Sequence, residues 1–168
     1  MAPQVREART PEEVAAAGRV TVAANAEFAP ADPGDPFVPT WDRYLASMAD
    51  AAGRAADGGV VLVAVEDGRV VGSATLYLDD GSEQWRPGDA MVRFLAVDPA
   101  ARGRGVGRAL FDACVARARA AGKRRMALHT TEWMTTARAM YERAGFHREP
   151  EGDARLPGLT ILAYAADL

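Results

Sequence analysis

The sequence predicts a mixed α/β fold, and three observations carry that reading. Valine-rich or alternating runs recur at 60–66, 70–78, 90–97 and 125–130. Stretches of helical period separate the later ones, and a glycine-rich turn joins the run at 90–97 to the helix after it. At 168 residues, with 49% hydrophobic and 26% charged residues, the chain fits one domain (1–168) that buries a sizeable core.

Gln4 to Arg9 reads as a short alternating strand. Thr10-Pro11-Glu12-Glu13 starts a helix: a capping threonine, proline at the first helical position and acids in the first turn. That helix should reach about Phe28. Residues 29–40 hold four prolines and form a loop, and a second helix is expected from Trp41 to Ala56, before Asp57-Gly58-Gly59. Val60–Glu66 and Val70–Leu78 are strands joined by an Asp67-Gly68 hairpin turn. Asp79–Asp89 is a polar loop carrying Trp85, and Ala90–Val97 is the third central strand. A helix from about Gly105 to Ala121 presents Val106, Leu110, Ala113, Cys114, Ala118 and Ala121 on one face, and Gly122 ends it. Arg125–Thr130 is a strand, and a helix from Thr135 to Ala144 closes on Gly145. Phe146–Arg148 and Leu159–Ala165 form a final strand pair, with Glu149–Gly158 as its loop.

The turn after the third central strand is the most informative segment. Val92–Gly107 ends in a helix start of nearly bare backbone, with glycines at 103, 105 and 107 among Arg102, Arg104 and Arg108. The first N–H groups of a helix lack intrahelical partners and sit at the positive end of its dipole, so they suit a phosphate or pyrophosphate. Two nucleotide motifs fail on spacing. A Walker loop needs lysine and then serine or threonine after its last glycine, where this chain has Arg108 and Ala109. A G-x-G-x-x-G dinucleotide turn beginning at Gly103 needs glycine where Arg108 stands.

What fits is Arg-x-x-Gly-x-Gly, as Arg102-Gly103-Arg104-Gly105-Val106-Gly107 directly after L-A-V-D-P. About thirty residues on, Ala137-x-x-Met140-Tyr141-Glu142-x-x-Gly145-Phe146 matches A-x-x-[LM]-Y-E-x-x-G-F. With these two motifs in register, the chain resembles the GNAT family of acyl-CoA-dependent N-acetyltransferases over essentially its whole length. The resemblance implies a mainly antiparallel sheet with helices on both faces, and a central parallel strand pair (here 90–97 and 125–130) that splays into a V. It implies acetyl-CoA as donor. The pantetheine amides would pair with backbone groups of Leu95, Ala96 and Val97, and the pyrophosphate would lie on N–H groups from Arg102 to Arg108. Met134 and Ala137 would border the pantetheine arm, and Tyr141 would protonate the departing thiolate.

Two departures from the family pattern stand out. Many members carry glutamate two residues before the position of Arg93, and this chain has Met91 there. Asp89, Glu83 and Glu132 are the carboxylates that could substitute, and His129 and His147 the imidazoles. Some relatives have asparagine seven residues before the tyrosine, where this chain has Met134. The acceptor wall implied by the resemblance includes Phe28, Phe37, Trp41 and Tyr44, with Met91, Arg93, Glu132, Trp85 and Trp133 near it, and residues 149–156 opposite. Aromatic rings beside acids suit a small amine. A non-catalytic acyl-CoA-binding sensor is the second reading, kept open by Met91 and Met134.

A formal charge of −3 argues against a nucleic-acid partner. No apolar run is long enough to span a membrane, the start lacks a secretory pattern, and the lone Cys114 suits a reducing compartment, so the expected location is the cytoplasm. A homodimer is expected by resemblance, with the apolar strand 159–165 as a contact edge.

Overall fold

A computed structural model describes residues 2–78 and 86–168. Trp85 and Glu83 lie outside the described residues. The strands are β1 (Gln4–Glu7), β2 (Val60–Glu66), β3 (Arg69–Tyr77), β4 (Ala90–Val97), β5 (Arg125–Thr131), β6 (His147–Arg148), β7 (Ala154–Leu156) and β8 (Leu159–Asp167). They form one sheet in the order β1-β2-β3-β4-β5-β8-β6, with β7 also paired to β8. Every pairing is antiparallel except β4 with β5. The helices are α1 (Pro11–Asn25), α2 (Val38–Ala49), α3 (Ala51–Ala56), α4 (Val106–Ala120) and α5 (Thr135–Arg143).

Alternation along the strands sends side chains to two faces. On one face Leu62, Ala74, Leu76, Val92, Leu128 and Tyr164 pack against Val106, Leu110, Phe111 and Cys114 of α4 and Tyr141 of α5. On the other, Val61 and Val63 pack against Ala17 of α1 and Ala51 of α3. Farther along that second face, Tyr77, Met91, Ala127 and Ala165 form a separate patch.

Several boundaries differ from the sequence expectation for local reasons. Helix α1 stops at Asn25 and passes into a 3-10 turn over Ala26–Phe28. Helix α2 begins inside the expected proline loop, at Val38, because Pro39 in a first turn needs no N–H partner. It ends before Asp50, whose carboxylate accepts the Gly53 N–H and caps a new helix, so the expected single helix is two. Helices α1 and α2 cross so closely that a Cβ on Gly18 would lie 2.2 Å from the Ala49 carbonyl oxygen. The expected loop 149–158 contains β7, which forms a hairpin with β8. Strand β8 is paired on both sides, to β5 and to β6 and β7, so it is not the contact edge that its apolar sequence suggests. Among the described residues no helix is long and apolar enough to cross a membrane.

The decisive feature lies at the sheet's centre. The parallel register of β4 and β5 runs Ala90↔Met126, Met91↔Ala127, Val92↔Leu128 and then stops. On the β3 side, Ser73 pairs with Ala96 but Thr75 pairs with Arg93, so Phe94 and Leu95 face Ala74 alone. This is a β-bulge, and Phe94 adopts φ +53° within it. Such a conformation is costly for a non-glycine residue, by about 1–2 kcal/mol. The bulge turns β4 away from β5 and opens a fork.

Candidate functional site: the fork and the helix that faces it

Two structures meet at the fork. The first is the turn into α4. Asp98 caps a 3-10 turn at Pro99–Ala101 by accepting the Ala100 N–H at 2.9 Å. Gly103 (φ +75°) and Gly105 (φ +81°) then occupy the left-handed region, where a Cβ would be strained. Gly105 is the N-cap of α4 and brings no side chain to its first turn. Those N–H groups are left for a ligand.

The second is the edge of β4, which among the described residues has no strand beside it beyond Val92 on the β5 side. Together they open onto a cavity of about 780 Å³. Its walls include Leu95, Ala96 and Val97, the turn residues Arg102, Gly103, Gly105, Val106, Gly107 and Arg108, and Met134 and Ala137 from the opposite side. Phe28 and Trp133 stack at 5.5 Å across its rim. Trp133 Nε1 is buried there without a hydrogen-bond partner among the described residues. An uncapped helix start, an unpaired strand edge and an orphaned indole donor are what an elongated, amide-bearing, anionic ligand would satisfy.

The three arginines differ. Arg102 reaches back to α1, with Glu27 at 2.7 Å and the Ala24 carbonyl at 2.8 Å. Arg108 pairs with Asp112 one turn on. Arg104 lies 3.0 Å from Glu66 and does not line the cavity. The Arg102–Glu27 and Arg108–Asp112 pairs are solvent-exposed, and exposed pairs contribute only about 0–1 kcal/mol each, so Arg102 and Arg108 can exchange partners when an anion arrives.

Tyr141 is buried and does not line the cavity. Its ring packs against Phe111 at 5.3 Å and Tyr164 at 6.4 Å. Burial, with smaller effects of Cys114 and of Tyr44 from the other face of the sheet, pushes its hydroxyl pKa well up.

On the second face the fork is lined differently. Tyr44 lies 6.1 Å from the Phe94 ring, and the guanidinium carbons of Arg54 and Arg93 lie 4.5 and 4.9 Å from it. Burial raises the pKa of Tyr44 and Tyr77 and lowers that of Arg54 and Arg93. Contacts between Trp133 and Phe37, Phe37 and Trp41, and Trp41 and Tyr44 carry an unbroken line of rings from the cavity rim to Phe94. Phe28 therefore borders the opening, Tyr44 packs between Trp41 and Phe94, and Trp41, 5% exposed, is core.

Met91 is fully buried against Tyr77, Ala127 and Ala165, so it is part of the floor's interior and presents no surface to a substrate. Glu132 is exposed, and its backbone carbonyl accepts from Arg138. Asp89 is 8% exposed and ion-paired with Arg125, which also holds Glu149. His147 is an exposed surface residue 3.5 Å from Glu149. His129 is half-buried on β5, with Nε2 2.8 Å from the Gly152 carbonyl oxygen. Arg54 and the Phe94 bulge had no sequence signal: a lone arginine in a short helix reads as surface, and bulges leave no pattern in a valine-rich strand.

The family model described as "Acetyltransferase (GNAT) family" matches residues 23–146, which is most of the chain and contains both the fork and Tyr141. The chain belongs to the GNAT acetyltransferase family. Among curated proteins, a mycothiol acetyltransferase of Cellulomonas flavigena is 38% identical over 91 residues, covering 52% of this chain and 26% of that protein. One from Geodermatophilus obscurus is 46% identical over 57 residues, covering 34% and 18%. The matches thus span about a quarter or less of those relatives. Among solved structures, a PaiA N-acetyltransferase from Thermoplasma acidophilum, in complex with coenzyme A, superposes with TM-score 0.73 at 14% identity over the full length of both chains. A Corynebacterium glutamicum protein described as histone acetyltransferase HPA2 and related acetyltransferase gives TM-score 0.70 at 25% identity, covering 98% of this chain and 96% of that one. The mixed, mainly antiparallel sheet with one splayed parallel pair is the GNAT fold.

Proposed function

We propose that this GNAT protein moves an acetyl group from acetyl-CoA to a primary amine of a small molecule or peptide, by direct transfer across the fork. The observation that carries this is the end of the β4–β5 register at Val92↔Leu128, beside a helix start that no side chain caps. The coenzyme A complex of the Thermoplasma relative supports coenzyme A as the ligand of the cavity. The mycothiol acetyltransferase matches support a small-molecule acceptor.

In this reading the free backbone groups of Leu95, Ala96 and Val97 pair with the pantetheine amides as a missing strand would. N–H groups from Gly103 to Arg108 and the side chains of Arg102 and Arg108 hold the pyrophosphate, favoured by the α4 dipole. Met134 and Ala137 pack along the arm. The side chain of Arg104 stays with Glu66. The acceptor enters from the second face, past Tyr44, Phe94 and Arg93. Holding both reactants in the fork supplies much of the rate enhancement. Tyr141, protonated throughout the neutral range, gives its proton to the departing sulfur.

Release of free thiol from acetyl-CoA across a panel of amines tests the reading. Thiol release that depends on an amine supports it. Tight coenzyme A binding without turnover for any amine overturns it in favour of an acyl-CoA sensor.

A further inference from the structure

The acyl transfer needs a group to take the acceptor's proton, and the position that carries glutamate in many GNAT members is the buried Met91. Asp89 is committed to Arg125, and Glu132 is solvent-exposed. We propose that His129 is the general base, with Nδ1 taking the proton from the attacking nitrogen. The proposal rests on the acetyl-transfer reading above.

Position comes first. Leu128 is the last β5 residue paired with β4, so His129 is the first residue of β5 beyond the fork point. It shares its face with Ala127, two residues back, and therefore with Met91 and Tyr77, the face left for the acceptor. Leu95, Ala96 and Val97 line the cavity on the β4 side of the same fork, so a donor laid along them approaches the fork point that His129 follows.

The chemistry of the ring comes second. The Gly152 carbonyl can only accept, so Nε2 must donate in its 2.8 Å bond. A neutral ring held this way carries its lone pair on Nδ1, which has no hydrogen-bond partner among the described residues. The carbonyl is not a chance neighbour. Gly152 N–H bonds the Glu149 carbonyl at 2.9 Å. The adjacent Asp153 carboxylate accepts from Ala163 N–H at 2.8 Å and from both terminal nitrogens of Arg148. The loop that fixes the tautomer is thus tied to β8.

Charge comes third. Arg93 on β4 opposes a second positive charge on the ring, and Asp153 favours it, with its own charge engaged by Arg148. Tyr77 on β3 and Tyr44 on α2 border the same face and remain neutral, since burial raises both. Desolvation is the largest effect and holds the imidazole below its ordinary value of 6.5, so the basic form prevails at pH 7.

The step balances without an added reagent. A neutral amine forms the C–N bond as the C–S bond breaks. The proton that the nitrogen must lose passes to Nδ1, and the sulfur takes the Tyr141 hydroxyl proton. The imidazolium then returns one proton through solvent to the tyrosinate, leaving amide and free thiol.

The test compares the wild type with His129→Gln, whose amide can still donate to Gly152 but offers no base. With an amine that the wild type accepts, kcat should fall by about 10²-fold or more. The coenzyme A dissociation constant and its thermal stabilisation should stay within twofold, and the acid limb of the wild-type pH profile should vanish. Nitrogen NMR of the wild type provides a readout independent of turnover: His129 should be the Nε2–H tautomer, titrating below 6.5. Retained turnover or a retained acid limb in His129→Gln overturns the base while leaving acetyl transfer standing, as does an Nδ1–H tautomer. A wild type that acetylates no amine overturns both.

Discussion

Val92 and Leu128 are the last residues to face each other across the parallel strands, and two residues later Phe94 turns left-handed and β4 departs. That separation leaves the β4 backbone without a β5 partner beyond Val92, and the proposed mechanism places the donor on that backbone and the base at His129. The consequences can be measured.

Gly105 holds φ +81° at the N-cap of α4. Gly105→Ala introduces no clash, since a Cβ there meets nothing within 4 Å, but it strains the backbone. We expect a loss of about 1 kcal/mol of stability and weaker coenzyme A binding, read by thermal denaturation and calorimetry. An unchanged Tm with unchanged affinity would mean the turn is not held in the left-handed form.

Tyr141→Phe should lower kcat by about 10²-fold and leave coenzyme A affinity unchanged. Because burial raises the hydroxyl pKa above its ordinary value of 10.0, the wild-type rate should show no basic limb from this group below pH 10. Turnover equal to wild type in the phenylalanine variant would remove Tyr141 from the mechanism.

Arg102 leaves Glu27 for the pyrophosphate in the proposed complex. Arg102→Ala should then weaken coenzyme A binding by about tenfold, the size of one charge-assisted hydrogen bond. The salt dependence of Kd should also become shallower. Equal affinities at all ionic strengths would return Arg102 to a purely structural role at the end of α1.

Hydrogen bonding by Arg148, with help from the Ala163 N–H, holds the Asp153 carboxyl below its ordinary value of 3.8. A group depressed on folding stabilises above its unfolded pKa and loses that contribution as pH falls through the folded one. Asp153→Asn should therefore cost about 2 kcal/mol at pH 7, with the Tm difference from wild type shrinking toward pH 3. A difference independent of pH would contradict the ion pair.

Much of this was legible in the residues. The alternating strands, the capped start of α1 and the glycine turn are local signals, and each element formed within a few residues of its expected place. The amphipathic reading of α4 found Val106, Leu110, Cys114 and Ala118, all buried, yet missed Phe111 and included the exposed Ala121. What was not legible is set by tertiary contact. The break at Asp50 follows from capping that competes with continuation of the helix. The β7 hairpin sits in a segment whose prolines and glycines read as loop. The edge expectation for β8 failed because an apolar strand looks the same whether it is paired on one side or two. At the site, the glycines marked the left-handed turn into α4, while His129, Gly152 and Asp153 come together only through the strand order β5-β8-β6.

A crystal structure with coenzyme A bound would locate the ligand relative to the fork. The pantetheine amides should lie on the backbone of Leu95–Val97 and the pyrophosphate on the N–H groups between Gly103 and Arg108. The sulfur should lie within hydrogen-bonding reach of the Tyr141 hydroxyl, at the fork beyond Val92 and Leu128. Coenzyme A seated elsewhere, or a pantetheine arm that leaves the β4 edge unpaired, would contradict that placement.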